Sequence, residues 1–112
     1  MTNCLGERLK QARLTLGVSQ KRLGILVGID EYSAGVRMNQ YETGKHRPNF
    51  STLQRIGKVL GYPVEFFFSE DDAMAELICL AGKLSSADRN KVLNVVKKLL
   101  LNYNQNLPLI EA

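Results

Sequence analysis

A single histidine and two cysteines among 112 residues each close off a class of function. His46 alone cannot build a multi-histidine metal site, and the residues around it advertise no catalytic partner. Cys4 and Cys79 lie far apart with no signal-type segment before them, so no disulfide framework is expected and both read as packing or surface residues. No apolar run is long enough to span a membrane. The pattern also lacks a phosphate-cradling glycine loop, a metal-ligand cluster and a nucleophile paired with a base. The expectation is therefore a cytoplasmic protein with no cofactor, no evident small-molecule ligand and no enzymatic activity.

What is present is ordinary in kind and uneven in placement. Hydrophobic residues make up 45% and charged residues 23%, a composition that folds, and the length suits one compact unit with an appendage. Residues 1–62 hold ten Lys or Arg against four Asp or Glu, whereas residues 63–112 hold five against seven. The first part suits a polyanion and the second does not.

Helical periodicity runs through the whole chain. Leu5, Leu9, Ala12 and Leu16 form one stripe that ends at Gly17. Ser19 then stands where an N-cap hydroxyl belongs, Leu23, Leu26 and Val27 recur at helical spacing to about Val27, and Gly28 stops the helix. A third segment begins at Asp30 or Ser33, places Ala34, Met38 and Tyr41 inward, and ends at Gly44. Ser33 is the preferred cap, giving a helix over 34–43 after a lengthened turn; an Asp30 cap would add a turn and put Gly35 inside it. Two short helices around a tight glycine turn, the second offering polar side chains to solvent, make a helix-turn-helix.

These residues carry a resemblance. Leu9 and Arg13, Gly17 with Ser19-Gln20, Leu23-Gly24, Gly28-Ile29, Tyr41-Glu42 with Gly44-Lys45, Pro48, Leu53 and Leu60-Gly61 occur in an order similar to the lambda repressor/Cro type of DNA-binding domain, the Xre-like family. The likeness covers roughly residues 5–68 and departs from the pattern by about four extra residues between Gly28 and Met38. It implies that Arg13 pairs with Glu42 to tie the first helix to the end of the third; on the residues alone, a surface arginine touching phosphate is the rival reading. It also implies that Gln20 contacts DNA and that Gly24 fills the close helix crossing where the family usually has alanine.

The face of the third helix opposite Met38 is the expected reading head. Ser33, Val36, Arg37, Asn39, Gln40 and Thr43 belong to it, Asn and Gln being suited to adenine and Arg to guanine in the major groove. Lys45 and Arg47 follow in a basic turn that would clamp the phosphate backbone without reading sequence. Asn49 caps a fourth helix over 50–60, and Pro63 opens a short fifth one containing Phe66, Phe67 and Phe68. Three consecutive aromatics cannot all point inward, so at least one needs cover from the appendage or a partner.

Residues 70–103 read as two further helices, with a tail over 104–112. Val92, Val96, Leu99, Leu100 and Tyr103 belong to an apolar arc too wide for one surface, which fits a second copy of the same helix. Packing over the phenylalanines is the intramolecular rival. The expected fold is all-α, a five-helix lambda repressor-like DNA-binding domain over 1–69 followed by a C-terminal helical pair that dimerises. The resemblance implies a homodimeric repressor of transcription on a near-palindromic operator in double-stranded DNA. The competing expectation is an antitoxin-like or phage-type protein whose last helices bind a different protein.

Overall fold

The computed structural model describes residues 3–103, in which every regular element is helical. Four α-helices come first, α1 (Cys4–Leu16), α2 (Gln20–Leu26), α3 (Glu31–Thr43) and α4 (Phe50–Leu60). A 3-10 turn over Val64–Phe68 follows, then α5 (Asp72–Gly82) and α6 (Ser86–Tyr103). The chain divides after Gly82 into two units.

Local chemistry sets the helix ends in the first unit. The Ser19 hydroxyl accepts the Arg22 amide at 3.0 Å, and Asn49 Oδ1 accepts the Thr52 amide at 2.8 Å. Asn3 does two things at once, since Oδ1 accepts the Gly6 amide at 3.3 Å while Nδ2 donates to the Glu42 carbonyl at 2.7 Å. It caps the start of α1 and satisfies the end of α3. Gly17 and Gly44 finish these two helices in the left-handed conformation, each with φ 81°.

The core gathers Leu5, Leu9 and Ala12 of α1, Leu23 of α2 with the capping Val27, and Met38 and Tyr41 of α3. Leu53, Ile56 and Leu60 of α4 complete it with Phe66 and Phe67. Leu16 and Leu26, expected in the apolar stripes, are 47% and 43% exposed and lie outside it. Each sits in the last turn of its helix, where the chain is already leaving the core.

The third helix starts a turn earlier than the preferred reading. Asp30 is the cap, its Oδ2 accepting the Tyr32 amide at 3.1 Å and its carbonyl accepting the Ser33 amide at 3.0 Å. A carboxylate cap followed by Glu31 suits the positive end of a helix better than a serine hydroxyl does. The extra residues after Gly28 therefore become helix, and Gly35 lies within it beside Lys21.

Arg8, which flanks the apolar stripe of α1, is only 7% exposed. Its Nε donates to the Ser69 carbonyl at 2.8 Å, Nη2 to the Glu70 carbonyl at 3.0 Å and to Asp72 Oδ1 at 2.9 Å, and Nη1 to Gln11 Oε1 at 2.9 Å. Its guanidinium carbon lies 5.6 Å from the centre of the Phe66 ring. The start of α5 is thereby clamped to α1, and Ala75 is buried in the same core. So α5 belongs to the first unit, whereas the sequence reading divides the chain after Ser69. Phe66 and Phe67 are buried and meet edge to face with centroids 5.5 Å apart; Phe68 remains 54% exposed.

Helix α6 lies in the second unit. Ser85 Oγ accepts the Asp88 amide at 3.1 Å, and Lys91 pairs with Asp88 at 3.5 Å. Val96, Leu99 and Tyr103 are 41%, 61% and 89% exposed, and Val92 and Leu100 are half-buried. The tail expected over 104–112 lies outside the described residues. Among those described, no helix is long and apolar enough to cross a membrane, and no group of three His, Cys, Asp or Glu is placed to hold a metal ion.

Candidate nucleic-acid interface

The candidate interface is built around one buried ion pair. Arg13 Nε donates to Glu42 Oε2 at 2.6 Å and Arg13 Nη2 to Glu42 Oε1 at 3.1 Å, with 10% and 3% of the two side chains exposed. Arg13 Nη1 spends a third donor on the Val18 carbonyl at 2.9 Å, so the guanidinium also holds the turn that leads into α2. This planar, two-point geometry is the strong form of an arginine–carboxylate contact.

Because Ser19 caps α2, Gln20 is its first helical residue and lies over the end of this pair. Gln20 Nε2 donates to Glu42 Oε1 and to Asn39 Oδ1, each at 3.1 Å. The buried pair is thus linked through one side-chain amide to an exposed residue on α3. Asn39 spends its oxygen on Gln20, so the two protons on its Nδ2 remain for an outside acceptor.

The other expected residues distribute along the same helix. Val36 is 64% exposed, Arg37 and Thr43 are exposed, and Ser33 and Gln40 are half-buried. After Gly44, the His46 amide donates to the Gln40 carbonyl at 3.2 Å and folds the basic turn back on α3. Lys45 and Arg47 stand exposed on either side of it. Arg37, Gln40, His46 and Arg47 share the lining of a shallow concavity of about 280 Å³.

Close approach of α2 to α3 makes this arrangement possible. A Cβ at Gly24 would lie 2.7 Å from the Ala34 Cβ and 2.8 Å from its carbonyl oxygen, so the two backbones meet where no side chain fits. One exposed aromatic on α3 is not among the residues the sequence singles out: Tyr32, 91% exposed in the first turn. The signal for it was the Asp30-Glu31 pair, which extends the helix to include it.

Comparison with known proteins gives the family. The family model described as a helix-turn-helix domain matches residues 5–65. The SPbeta prophage-derived uncharacterized HTH-type transcriptional regulator YonR of Bacillus subtilis (strain 168) is 31% identical over 99 residues, covering 88% of this chain and 77% of that protein. An uncharacterized HTH-type transcriptional regulator of Sinorhizobium medicae (strain WSM419) is 38% identical over 66 residues, which are 59% of this chain and 45% of that relative. This chain therefore matches under half the length of the rhizobial protein. The crystal structure of the transcriptional regulator BswR superimposes with a TM-score of 0.80 at 40% identity, covering 88% of this chain and 98% of that one. With the family model matched over more than half of its residues, the chain belongs to the helix-turn-helix family of DNA-binding transcriptional regulators.

Proposed function

We propose that this regulator is a repressor that acts as a homodimer on a near-palindromic operator and occludes a promoter. The bond from Gln20 to Asn39 is the observation that carries the reading. An exposed polar side chain held in place by a neighbouring helix is preorganised for an outside partner, whereas one serving only solvation needs no such support. In this reading α3 enters the major groove, with Arg37, Asn39 and Gln40 addressing base edges, Asn39 as a donor to a purine N7 or a carbonyl oxygen. Ser33, Val36 and Thr43 line the same groove, and Lys45 and Arg47 take the phosphates on its rim.

The second half-site comes from a second copy. Val92, Val96, Leu99, Leu100 and Tyr103 recur along α6 at spacings that keep them on one side, and that side supports pairing with the same helix of another chain. Two α3 helices about 34 Å apart then meet successive major grooves.

Selection from a pool of random duplexes, run beside sedimentation of the full chain, tests this. The expected result is a dimer that selects an inverted repeat, and a Leu99→Lys variant that is monomeric and binds weakly. A monomeric wild type that selects no sequence would sink the reading in favour of an interaction protein. A finer expectation concerns Lys45. Its replacement by alanine should weaken binding to every duplex alike and lower the slope of log K against log salt by about one. A change confined to one operator position would make Lys45 a base reader.

A further inference from the structure

The first turn of α3 carries an exposed surface that the reading above leaves without a role. Tyr32, Val36, Asn39 and Thr43 stand at i, i+4, i+7 and i+11, a single outward stripe on the side away from Ala34, Met38 and Tyr41. Tyr32 and Val36 are 91% and 64% exposed, so the first half of the stripe is apolar and unpartnered. The second half begins at Asn39, which Gln20 holds. The apolar half is thus continuous with the reading face along one helix.

We infer that Tyr32 lengthens the reading face by one turn and packs its ring, beside Val36, on the C5-methyl group of a thymine in the major groove. The inference rests on the reading of α3 as the groove-entering helix. That methyl is the apolar group which base pairs present in the major groove, so it is the partner an exposed aromatic and an exposed valine can recognise there. Phosphate is a poorer partner for this end of the helix. Asp30 and Glu31 put two carboxylates beside Tyr32, the first of them engaged as the helix cap, and both repel the DNA backbone. The cations that suit phosphate, Lys45 and Arg47, follow the opposite end of α3. On α3 itself the basic end is thus the far one, with Lys21 of α2 beside Gly35, and what Tyr32 itself offers DNA is an apolar ring. One turn adds about 5.4 Å of reach, roughly 1–2 base steps at about 3.4 Å each.

The test uses the operator selected by the full chain, with each thymine replaced singly by deoxyuridine, which removes only the methyl. Wild type should lose about fourfold in affinity at one thymine, as expected for one methyl group no longer buried. Tyr32→Ala should bind the unmodified operator about tenfold more weakly and be indifferent to that replacement, while Tyr32→Phe keeps the wild-type response. Since Tyr32 lies outside the core, circular dichroism of both variants should match wild type. Equal affinity of Tyr32→Ala and wild type, or a thymine response that survives in Tyr32→Ala or disappears in Tyr32→Phe, would overturn the inference while leaving the regulator reading intact. A wild type that selects no operator at all would overturn both.

Discussion

Replacing Glu42 by alanine should lower the free energy of unfolding by about 3–5 kcal/mol, which is what removing one member of a buried ion pair costs. An exposed pair would be worth about 0–1 kcal/mol, and burial decides between these magnitudes. Only 3% of the Glu42 side chain and 10% of the Arg13 side chain reach solvent, so the orphaned guanidinium cannot be rehydrated in place. It would keep the Val18 carbonyl at 2.9 Å and lose both carboxylate contacts. Gln20 would lose an acceptor in the same step and leave Asn39 less well held, so operator affinity should fall beyond what the loss of folded protein explains. Urea unfolding is the measurement, with the midpoint lowered and the slope unchanged. Combining Arg13→Met with Glu42→Leu should recover much of the loss, because no charge is then left stranded. A loss below about 1 kcal/mol for Glu42→Ala would show that water screens the pair after all.

The second large effect runs against helix propensity. Gly24→Ala removes a glycine from the interior of α2, which on propensity alone gains about 1 kcal/mol, and the family resemblance makes alanine the common residue there. In this chain the added Cβ would stand 2.7, 2.8 and 2.9 Å from the Cβ, carbonyl oxygen and Cα of Ala34. Two of these three atoms are backbone and cannot rotate away. The two helices must separate, and overpacking of this kind costs about 1–3 kcal/mol, enough to outweigh the propensity gain. Separation would also stretch the 3.1 Å bond from Gln20 to Asn39, so affinity and stability should decline together. Adding Ala34→Gly removes one of the three clashes and should restore part of the loss. A Gly24→Ala protein more stable than wild type in thermal unfolding would mean that α2 and α3 open without penalty.

Elements whose ends are written in local chemistry were legible from sequence. The range of α4 follows from Asn49 and Gly61, and that of α1 from its stripe and Gly17, since a cap and a left-handed glycine act within a few residues of themselves. The start of α3 was harder because Asp30 and Ser33 are both competent caps. The choice fell to Asp30 through charge near the helix terminus, with Gly35 accommodated beside Lys21. That shift of one turn moved Tyr32 from a loop onto a helix face. Arg8 shows a different limit. It stands three residues after Leu5 and four before Ala12, at the edge of the apolar stripe where Lys10 is not, but its burial depends on three carbonyl and carboxylate oxygens more than sixty positions away. Similarly, no spacing rule points to a contact between Arg13 and Glu42 across 29 positions; only the resemblance suggested it.

Asn3 couples two helix ends that are far apart in the chain, its oxygen serving the first turn of α1 and its nitrogen the last turn of α3. If α1 frays, Asn3 leaves and the Glu42 carbonyl loses its donor; if the end of α3 frays, Glu42 carries its carboxylate away from Arg13 on α1. Fraying at either end therefore weakens the other. On the reading of α3 as the groove-entering helix, the element offered to DNA is thus tied at its C-terminal end to the N-terminal helix, and hydrogen exchange at the two ends should respond together.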